Sequence, residues 1–196
     1  SDGSNGNLKY ATNSSGSWVS QIIDSDGVVG SYNSIAVDLN NKIHISYYDA
    51  SNWDLKYATN NSGSWVISSV DSAEDIGLYT SIASDSNNKV HISYYDSSNS
   101  SLKYATNSYG TWATQTIDTS SGYVGKYSSI ALDANNKVHI SYQYEDSYYH
   151  KGLRYVTNSS GTWIIKTIDD GRYYVVTASS ILIDSKMLNT KFNNYT

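Results

Sequence analysis

The sequence repeats itself at a regular interval, and this periodicity limits the possible folds more than any other feature. The segment Leu-Lys-Tyr-Ala-Thr-Asn begins at Leu8, Leu55 and Leu102, and a looser copy begins at Leu153, so the successive spacings are 47, 47 and 51 residues. Each copy continues through a glycine that stands two residues before a tryptophan. These tryptophans are Trp18, Trp65, Trp112 and Trp163.

Each repeat contains four short runs in which apolar and polar residues alternate, separated by Asn-Asn, Ser-Gly or Asp-Gly. Alternation with a period of two indicates strands, and those dipeptides are typical of tight hairpin turns. Four strands in roughly 40 to 50 residues make one blade of a β-propeller. The sequence therefore predicts an all-β protein, a β-propeller of four-stranded antiparallel blades.

The composition of the runs predicts the order of strands within a blade. The runs that begin at Ser34, Ser81 and Ser129 are short and carry alanine at the centre, which fits the innermost strand, where converging blades leave the least room. The His-Ile-Ser-Tyr run is then the second strand and the Lys-Tyr-Ala run the third. The run that starts at the tryptophan is the outermost strand.

This strand order sorts the loops into two faces. Turns between strands one and two and between strands three and four share a bottom face, whereas the other turns and the crossovers between blades share a top face. The top face gathers aromatic residues and aspartates, a mixture suited to stacking on a sugar ring and accepting its hydroxyl hydrogen bonds. The predicted ligand-binding residues are Tyr32, Tyr48, Asp49, Trp53, Tyr79, Tyr95, Asp96 and Tyr127.

The same residues also fit a purely structural role. Tyrosines at these positions would close the top of each blade, and aspartates are common in turns because the side chain hydrogen-bonds the backbone nearby. The repeated tryptophans are expected to pack between blades, where burying a large ring removes much apolar area from water.

Residues 1–196 are interpreted as one propeller domain, repeat-like over 1–184, with 185–196 as a divergent tail or a closing strand. The repeat begins inside a blade, so a ring of four blades would close if the C-terminal piece paired with the two N-terminal strands. Closure of this kind removes exposed strand edges. There are two alternatives to this closed ring: the chain is a fragment of a longer array of blades, or the ring is completed between two chains.

Charge and composition argue against several kinds of partner. The net charge is −5 and the 13 basic residues are scattered singly, so no basic patch for nucleic acid is expected. No apolar stretch approaches the roughly 20 residues that span a bilayer. The sequence contains no cysteine, which excludes disulfides and thiolate metal sites.

Neither an enzyme site nor a metal site is evident in the sequence. The two glutamates, Glu74 and Glu145, fall in different repeats, whereas hydrolysis of a glycosidic bond usually needs two nearby carboxylates. The histidines His44, His91 and His139 recur once per repeat, too far apart to share one ion. We therefore expect no catalysis, no metal and no cofactor, although an enzyme whose other domain lies outside this sequence stays an alternative.

The segments His44 to Asp49, Asp54 to Asn60 and Gly63 to Trp65 resemble the highly repetitive propeller repeats of large secreted or surface proteins of bacteria and archaea. That resemblance covers residues 1 to about 184 and implies a propeller fold outside the cytoplasm. More distantly, the near-identical blades are similar to those of tachylectin-type and fucose-binding lectin propellers, which implies carbohydrate binding at equivalent sites.

These observations together predict a secreted or cell-surface binding module that recognises glycans, or another surface ligand, at repeated sites. Several weak and equivalent sites would gain strength through multivalency. The alternative is a structural or assembly module of a surface adhesin or filament, in which the tyrosines make protein contacts and the chain self-associates.

Overall fold

The structure is a computed structural model that describes residues 6–120, 122–171, 180–183 and 190–192. These residues form strands and turns and contain no helix, so the described part of the chain holds no helix able to cross a membrane. The all-β class and the four-stranded antiparallel sheets that the repeat predicts are confirmed.

Sixteen strands are present in the described residues. They are β1 (Leu8–Thr12), β2 (Val19–Asp24), β3 (Val29–Val37), β4 (Ile43–Asp49), β5 (Asp54–Thr59), β6 (Val66–Asp71), β7 (Ile76–Ser84), β8 (Val90–Asp96), β9 (Ser101–Thr106), β10 (Ala113–Asp118), β11 (Tyr123–Leu132), β12 (Val138–Glu145), β13 (Lys151–Thr157), β14 (Ile164–Asp169), β15 (Ile181–Ile183) and β16 (Thr190–Phe192).

The strands group into three complete blades and two pairs. The first complete blade is β3-β4-β5-β6, the second is β7-β8-β9-β10 and the third is β11-β12-β13-β14, each paired in chain order. The strands β1 and β2 form an N-terminal pair, and β15 and β16 form a C-terminal pair. The innermost strands pack side by side, since β3 contacts β7, and β7 contacts β11.

The innermost strands begin earlier than the sequence analysis predicts. Each was expected to start at a serine, but β3 already begins at Val29, so the tyrosine assigned to the crossover lies inside the strand. The register between β3 and β4 shifts between Ser31 and Ser34, which marks a bulge. The bulge interrupts the apolar-polar alternation, and for that reason the strand looked shorter in the sequence.

The second strand of each blade supplies most of the core. All seven residues of β8 are buried, because this strand lies between the inner and third strands and is covered on both faces by neighbouring blades. Its Tyr94 is fully buried and packs in one cluster with Leu55 and Ile82. The core is thus formed between adjacent blades, as the sequence predicts for a propeller.

A buried aspartate ties each blade to the next, and we call this contact the inter-blade latch. At the end of β10, Asp118 Oδ2 accepts a hydrogen bond from the Tyr142 hydroxyl at 2.7 Å and pairs with Arg154 Nη1 at 2.9 Å. Burial alone would raise the pKa of Asp118, but hydrogen bonds from Ser120, Tyr142 and Arg154 outweigh it and lower the pKa.

The latch recurs at the two preceding interfaces. Asp71 accepts from the Tyr94 hydroxyl at 2.8 Å and pairs with Lys103 at 2.7 Å. The third copy consists of Asp24, Tyr47 and Lys56. Three interfaces, those that join the N-terminal pair and the three complete blades in sequence, are therefore each closed by an aspartate, a tyrosine and a basic side chain.

The ring is not closed in the described residues, which departs from the predicted composite blade. Ile181 of β15 pairs with Phe192 of β16, while β1 pairs with β2, so the two terminal pairs form separate sheets. The strand β15 occupies an innermost position beside β11 and β12, and its hydrogen-bonded partner is β16. Of the predicted tail, residues 185–189 and 193–196, including Met187, lie outside the described residues.

Candidate functional site

Three of the predicted site residues form a continuous row of rings on the innermost strands. Tyr32, Tyr79 and Tyr127, which we call the tyrosine column, have ring centroids 4.7 Å and 4.5 Å apart along the row. Tyr32 is 44 % exposed and Tyr127 is 38 % exposed, so the rings at both ends of the column reach solvent. The column lies within the inner strands and not in the crossover loops where the sequence analysis placed these residues.

All three column tyrosines adopt a left-handed backbone conformation, with φ of 50°, 52° and 53°. This conformation costs a residue with a side chain roughly 1–2 kcal/mol, so it persists only where the surroundings impose it. The bulge in each inner strand imposes it here, because two residues of the inner strand oppose one residue of the second strand. The bulge turns each ring toward its neighbour in the next blade.

Tyr48 and Tyr95 support the column from behind. Both are buried, and their ring centroids lie 6.2 Å from those of Tyr32 and Tyr79 respectively. The Tyr48 hydroxyl donates to Asp75 Oδ1 at 2.7 Å, and burial together with this hydrogen bond raises the pKa of Tyr48. These two residues therefore hold the column in place and are not themselves on the surface.

The predicted aspartates lie in the turns after the second strands. Asp49 is fully buried, and its carboxylate accepts hydrogen bonds from the Ser51 and Asn52 backbone and from the Asn52 side chain. Asp96 is bonded in the same way by Asn99. These contacts confirm that the aspartates hydrogen-bond the backbone of their own turns, which the sequence analysis had considered as a structural role. Trp53, by contrast, is exposed at the end of its turn.

A cleft lies between the second and third complete blades, on the bottom side. It has a volume of about 500 Å³ and is open to solvent on one side. One wall is aromatic, because the Trp163 ring meets the Tyr104 ring edge-on at a centroid distance of 5.3 Å. The Trp163 indole N–H donates to Gln115 Oε1 at 3.0 Å. The remaining polar lining includes His91, Asn136 and Asn158.

The aromatic pair of this cleft recurs between the other blades. Trp112 meets Tyr57 at 5.0 Å, and Trp65 meets Tyr10 at 5.4 Å. In each case the tyrosine belongs to a third strand and the tryptophan precedes the outermost strand of the next blade. We call the three positions of this aromatic pair the inter-blade clefts, after the open space beside Trp163. Trp18 has no preceding blade in the described residues and is largely exposed.

The sequence analysis identified the repeated tryptophans but did not predict the clefts beside them. Trp65, Trp112 and Trp163 pack between blades as expected and Trp18 does not, but a ring that is only half-buried also presents an edge and a face to a ligand. The usable signal is the register: Tyr104 pairs with Gln115 across β9 and β10, which places an aromatic and an amide side by side. That pairing becomes a cleft only when the next blade adds its tryptophan.

A buried histidine stands behind two of the three clefts, those at Tyr57 and Tyr104. His91 Nδ1 lies 2.5 Å from the Tyr104 hydroxyl, and its Nε2 lies 3.5 Å from Asp85. The same arrangement joins His44 to Tyr57 and Asp38. These two histidines thus orient tyrosines that form cleft walls, whereas His139 bonds Tyr155, which belongs to none of the three aromatic pairs. The sequence analysis considered these histidines only as metal ligands and judged them too far apart to share one ion.

This arrangement makes stability depend on pH. Burial lowers the pKa of His91, an effect that outweighs the opposing influence of Asp85. Below about pH 6.5 the unfolded histidine takes up a proton that the folded one resists, so the contribution of His91 to the free energy of unfolding is constant above that pH and falls as pH drops below it. Urea denaturation at pH 7.5 and at pH 5 measures the difference, which is expected to shrink in His91→Asn.

His150 provides the control, because its side chain is 42 % exposed and lies outside the clefts. The variant His150→Asn is expected to keep the pH dependence of the parent chain. An equal pH dependence in His91→Asn and the parent chain would contradict the assignment.

The arrangement supplies binding groups and little that is reactive. Within the part of the chain that the structure describes, no three His, Asp or Glu side chains are grouped to hold a metal ion. The cleft instead combines aromatic edges, amides and hydroxyls, which suit a neutral polyhydroxylated ligand.

Solved structures with a similar fold include lectins and enzymes, and one enzyme is described below. No protein-family model and no curated protein matches the sequence. The chain is similar to the Aleuria aurantia lectin, described as a six-bladed β-propeller with a novel mode of fucose recognition (17 % identity, TM-score 0.54, covering 80 % of this chain and 50 % of the lectin). It is also similar to AofleA from Arthrobotrys oligospora (16 % identity, TM-score 0.59, 85 % and 51 % coverage).

The enzyme is an ulvan lyase, described as a new family of polysaccharide lyase (14 % identity, TM-score 0.60, covering 84 % of this chain and 49 % of the lyase). The chain therefore spans about half the length of these three structures. At such identities the likeness shows the fold, which is that of a β-propeller.

Proposed function

We propose that the protein is a non-catalytic carbohydrate-binding propeller that holds glycans in its inter-blade clefts. The observation that carries this proposal is the cleft beside Trp163, where an aromatic wall and an amide meet in a space of about 500 Å³. Aromatic side chains contact the apolar face of a sugar ring, and a few placed amides fix its hydroxyls.

Repetition supports binding rather than catalysis. The same tryptophan-on-tyrosine pair stands at three interfaces, whereas an active site is a single set of unlike groups that converge on one point. Equivalent weak sites on one chain, bound to a multivalent surface, raise the overall affinity without any new contact. We accordingly place the protein outside the cell, as a secreted or cell-surface protein.

The tyrosine column is a second proposed contact surface for the same class of ligand. Tyr32 and Tyr127 expose their rings, and the strained backbone of all three column residues is typical of functional positions. Tyr48, Tyr95, Asp49 and Asp96 enter the proposal as the buried residues that hold the column and its neighbouring turns in place. Trp53 is exposed on the same blade as Tyr32.

A glycan array that includes fucosylated glycans, followed by calorimetric titration with the best-bound glycan, tests the proposal. The variant Trp163→Ala is expected to reduce the number of glycans bound per chain by one, and replacing Trp65, Trp112 and Trp163 together is expected to abolish binding in the clefts. Each loss removes an aromatic wall. Because these tryptophans also pack against the blade cores, the urea midpoint of each variant is measured beside its binding, and only a variant that stays folded is scored.

Trp18→Ala is the matched control, since this tryptophan holds the same place in the repeat but faces no preceding blade in the described residues. It is expected to bind like the parent chain. Absence of binding to every glycan on the array would end the proposal. Binding that survives the triple variant but is lost in Tyr32→Ala with Tyr127→Ala would move the site to the tyrosine column.

A further inference from the structure

The three inter-blade clefts share one aromatic pair but differ in the residues around it. In the turn between the third and outermost strands, the second complete blade carries Tyr109, where the other copies of the repeat carry Ser15, Ser62 and Ser160. Tyr109 lines the cleft beside Trp163 and is 84 % exposed. A ring with so little contact to the core adds little to stability, so the fold does not explain why this copy carries a tyrosine.

The backbone that carries Tyr109 is held in place by two hydrogen bonds. The Gly110 N–H donates to the Asn107 carbonyl at 3.0 Å, which closes the turn around Tyr109. The Asn107 side chain accepts a hydrogen bond from the Val90 N–H at 2.8 Å, which fixes the turn to the second strand of the same blade. A side chain on a backbone that is already ordered loses less entropy when a ligand binds.

The outermost strand β10 also differs from its copy β6. Ala113 stands where β6 carries Val66, and Gln115 stands where β6 carries Ser68. The smaller alanine leaves more room in the cleft, and the longer amide accepts the hydrogen bond of the Trp163 indole and holds that ring. The volume of about 500 Å³ lies within the range of roughly 300–1,000 Å³ that is typical of sites for drug-sized ligands. The cleft therefore has room for more than one sugar unit.

The lining of this cleft carries no formal charge. Among the described residues, no carboxylate, ammonium or guanidinium group lines it. His91 is the one lining side chain that titrates near neutral pH, and burial lowers its pKa, so the ring is neutral at pH 7. A charged sugar would lose hydration on entering this cleft and would find no opposite charge there. The cleft therefore favours neutral ligands.

We propose that the cleft beside Trp163 binds a neutral oligosaccharide of at least two sugar units, and binds it more tightly than the other two clefts do. Such a site presupposes the carbohydrate binding proposed above, to which Tyr109 adds specificity. One sugar unit contacts Trp163 and Tyr104, and the next contacts the exposed ring of Tyr109. In the clefts beside Trp65 and Trp112 a serine stands at the position of Tyr109, so the second unit has no aromatic partner there.

Calorimetric titration of the full chain at pH 7.5 tests the proposal. The probes are the neutral glycan that binds best on the array, in its mono-, di- and trisaccharide lengths, and its sialylated and sulfated counterparts. The parent chain is expected to bind the neutral disaccharide about ten-fold more tightly at one site than at the others, and to bind the charged counterparts more weakly. Tyr109→Ser is expected to lose this ten-fold preference, with the affinity for the monosaccharide unchanged.

Tyr148→Ser is the matched control, since Tyr148 is 77 % exposed and does not line the cleft. It is expected to bind like the parent chain. Neither tyrosine packs in the core, so both variants are expected to keep the urea midpoint of the parent chain.

The converse change transfers the site to another interface. Ser62→Tyr, Val66→Ala and Ser68→Gln together give the cleft beside Trp112 the residues that stand beside Trp163. This triple variant is expected to bind the disaccharide at two tight sites instead of one.

The outcomes separate this site from the carbohydrate binding that it presupposes. If no glycan binds, both fall. If all sites bind the disaccharide equally, or if Tyr109→Ser binds it like the parent chain, the tight site beside Trp163 is overturned and carbohydrate binding in the clefts stands. A charged counterpart that binds as tightly as the neutral glycan would also overturn the proposal, as would a triple variant that still has one tight site.

Discussion

Replacing Asp118 by alanine is expected to lower the free energy of unfolding by about 3 kcal/mol, because one partner of a buried ion pair is removed and the other keeps its charge without a counter-charge. The carboxylate is buried at the end of β10, where it holds Tyr142 and Arg154 of the next blade. The variant would leave a buried hydroxyl without an acceptor, which adds to the loss. Urea denaturation measures the change.

Asp26→Ala is the control for this measurement, since Asp26 is an exposed acidic residue close to another copy of the latch. It is expected to cost less than about 0.5 kcal/mol, as surface substitutions usually do. Combining Asp118→Ala with Arg154→Met should cost less than the two changes added together, because the two residues share one interaction. A loss in Asp118→Ala no greater than in the control would show that the latch does not couple the blades.

Replacing Gly77 by alanine is expected to cost about 3 kcal/mol. Gly77 lies in β7 with φ of 102°, where a side chain is strained, and a Cβ atom there would lie 2.7 Å from the Cα atom of Leu55 in the preceding blade. The strain contributes roughly 1–2 kcal/mol and the forced separation of two blades a further 1–3 kcal/mol. The expected result is a lower urea midpoint with an unchanged slope.

Gly63→Ala separates the two contributions. Gly63 has a similar φ of 93°, but nothing lies within 4 Å of the position that a Cβ would occupy. This variant should carry the backbone strain alone, about 1 kcal/mol. Equal losses in the two variants would mean that the close approach of β7 to Leu55 contributes nothing to stability.

The repeat made most of the fold predictable. Because the motif around Leu55 recurs with a constant spacing, the strand order and the sorting of turns onto two faces followed from one copy and applied to all. The aspartate turns were also foreseeable, since Asp49 lies where its side chain can bond the backbone within the same turn. Both features depend on residues that are close together in the chain, so one sequence is enough to predict them.

The bulges were not predictable from alternation. Tyr32 follows Gly30 after an irregular stretch, and this pattern is equally compatible with a crossover loop and with a strand that contains an extra residue. What decides between them is the contact of Gly30 with Leu8 of the N-terminal pair, where a Cβ would lie 2.9 Å from the Leu8 Cα atom. Contacts between separate blades are not visible in a single repeat.

For the same reason the candidate site was recognised only in part. The tyrosine column lay within the predicted set, but the cleft beside Trp163 combines side chains from two blades that are about fifty residues apart in the chain. The sequence identifies Trp163 and Tyr104 as repeated residues. Only the packing angle between blades shows that a space is left beside them.

The inter-blade latches join each blade to its immediate neighbours and to nothing else. The free energy of unfolding of the whole row of blades is therefore a sum of contributions from contacts between neighbours, as in other repeat architectures. Loss of a single latch divides the row of blades into two shorter cooperative units, and unfolding then starts at the weakened interface. Duplication of a whole unit, on the other hand, inserts one further coupling of the same kind, so such a protein can lengthen by whole units without redesign of its existing junctions.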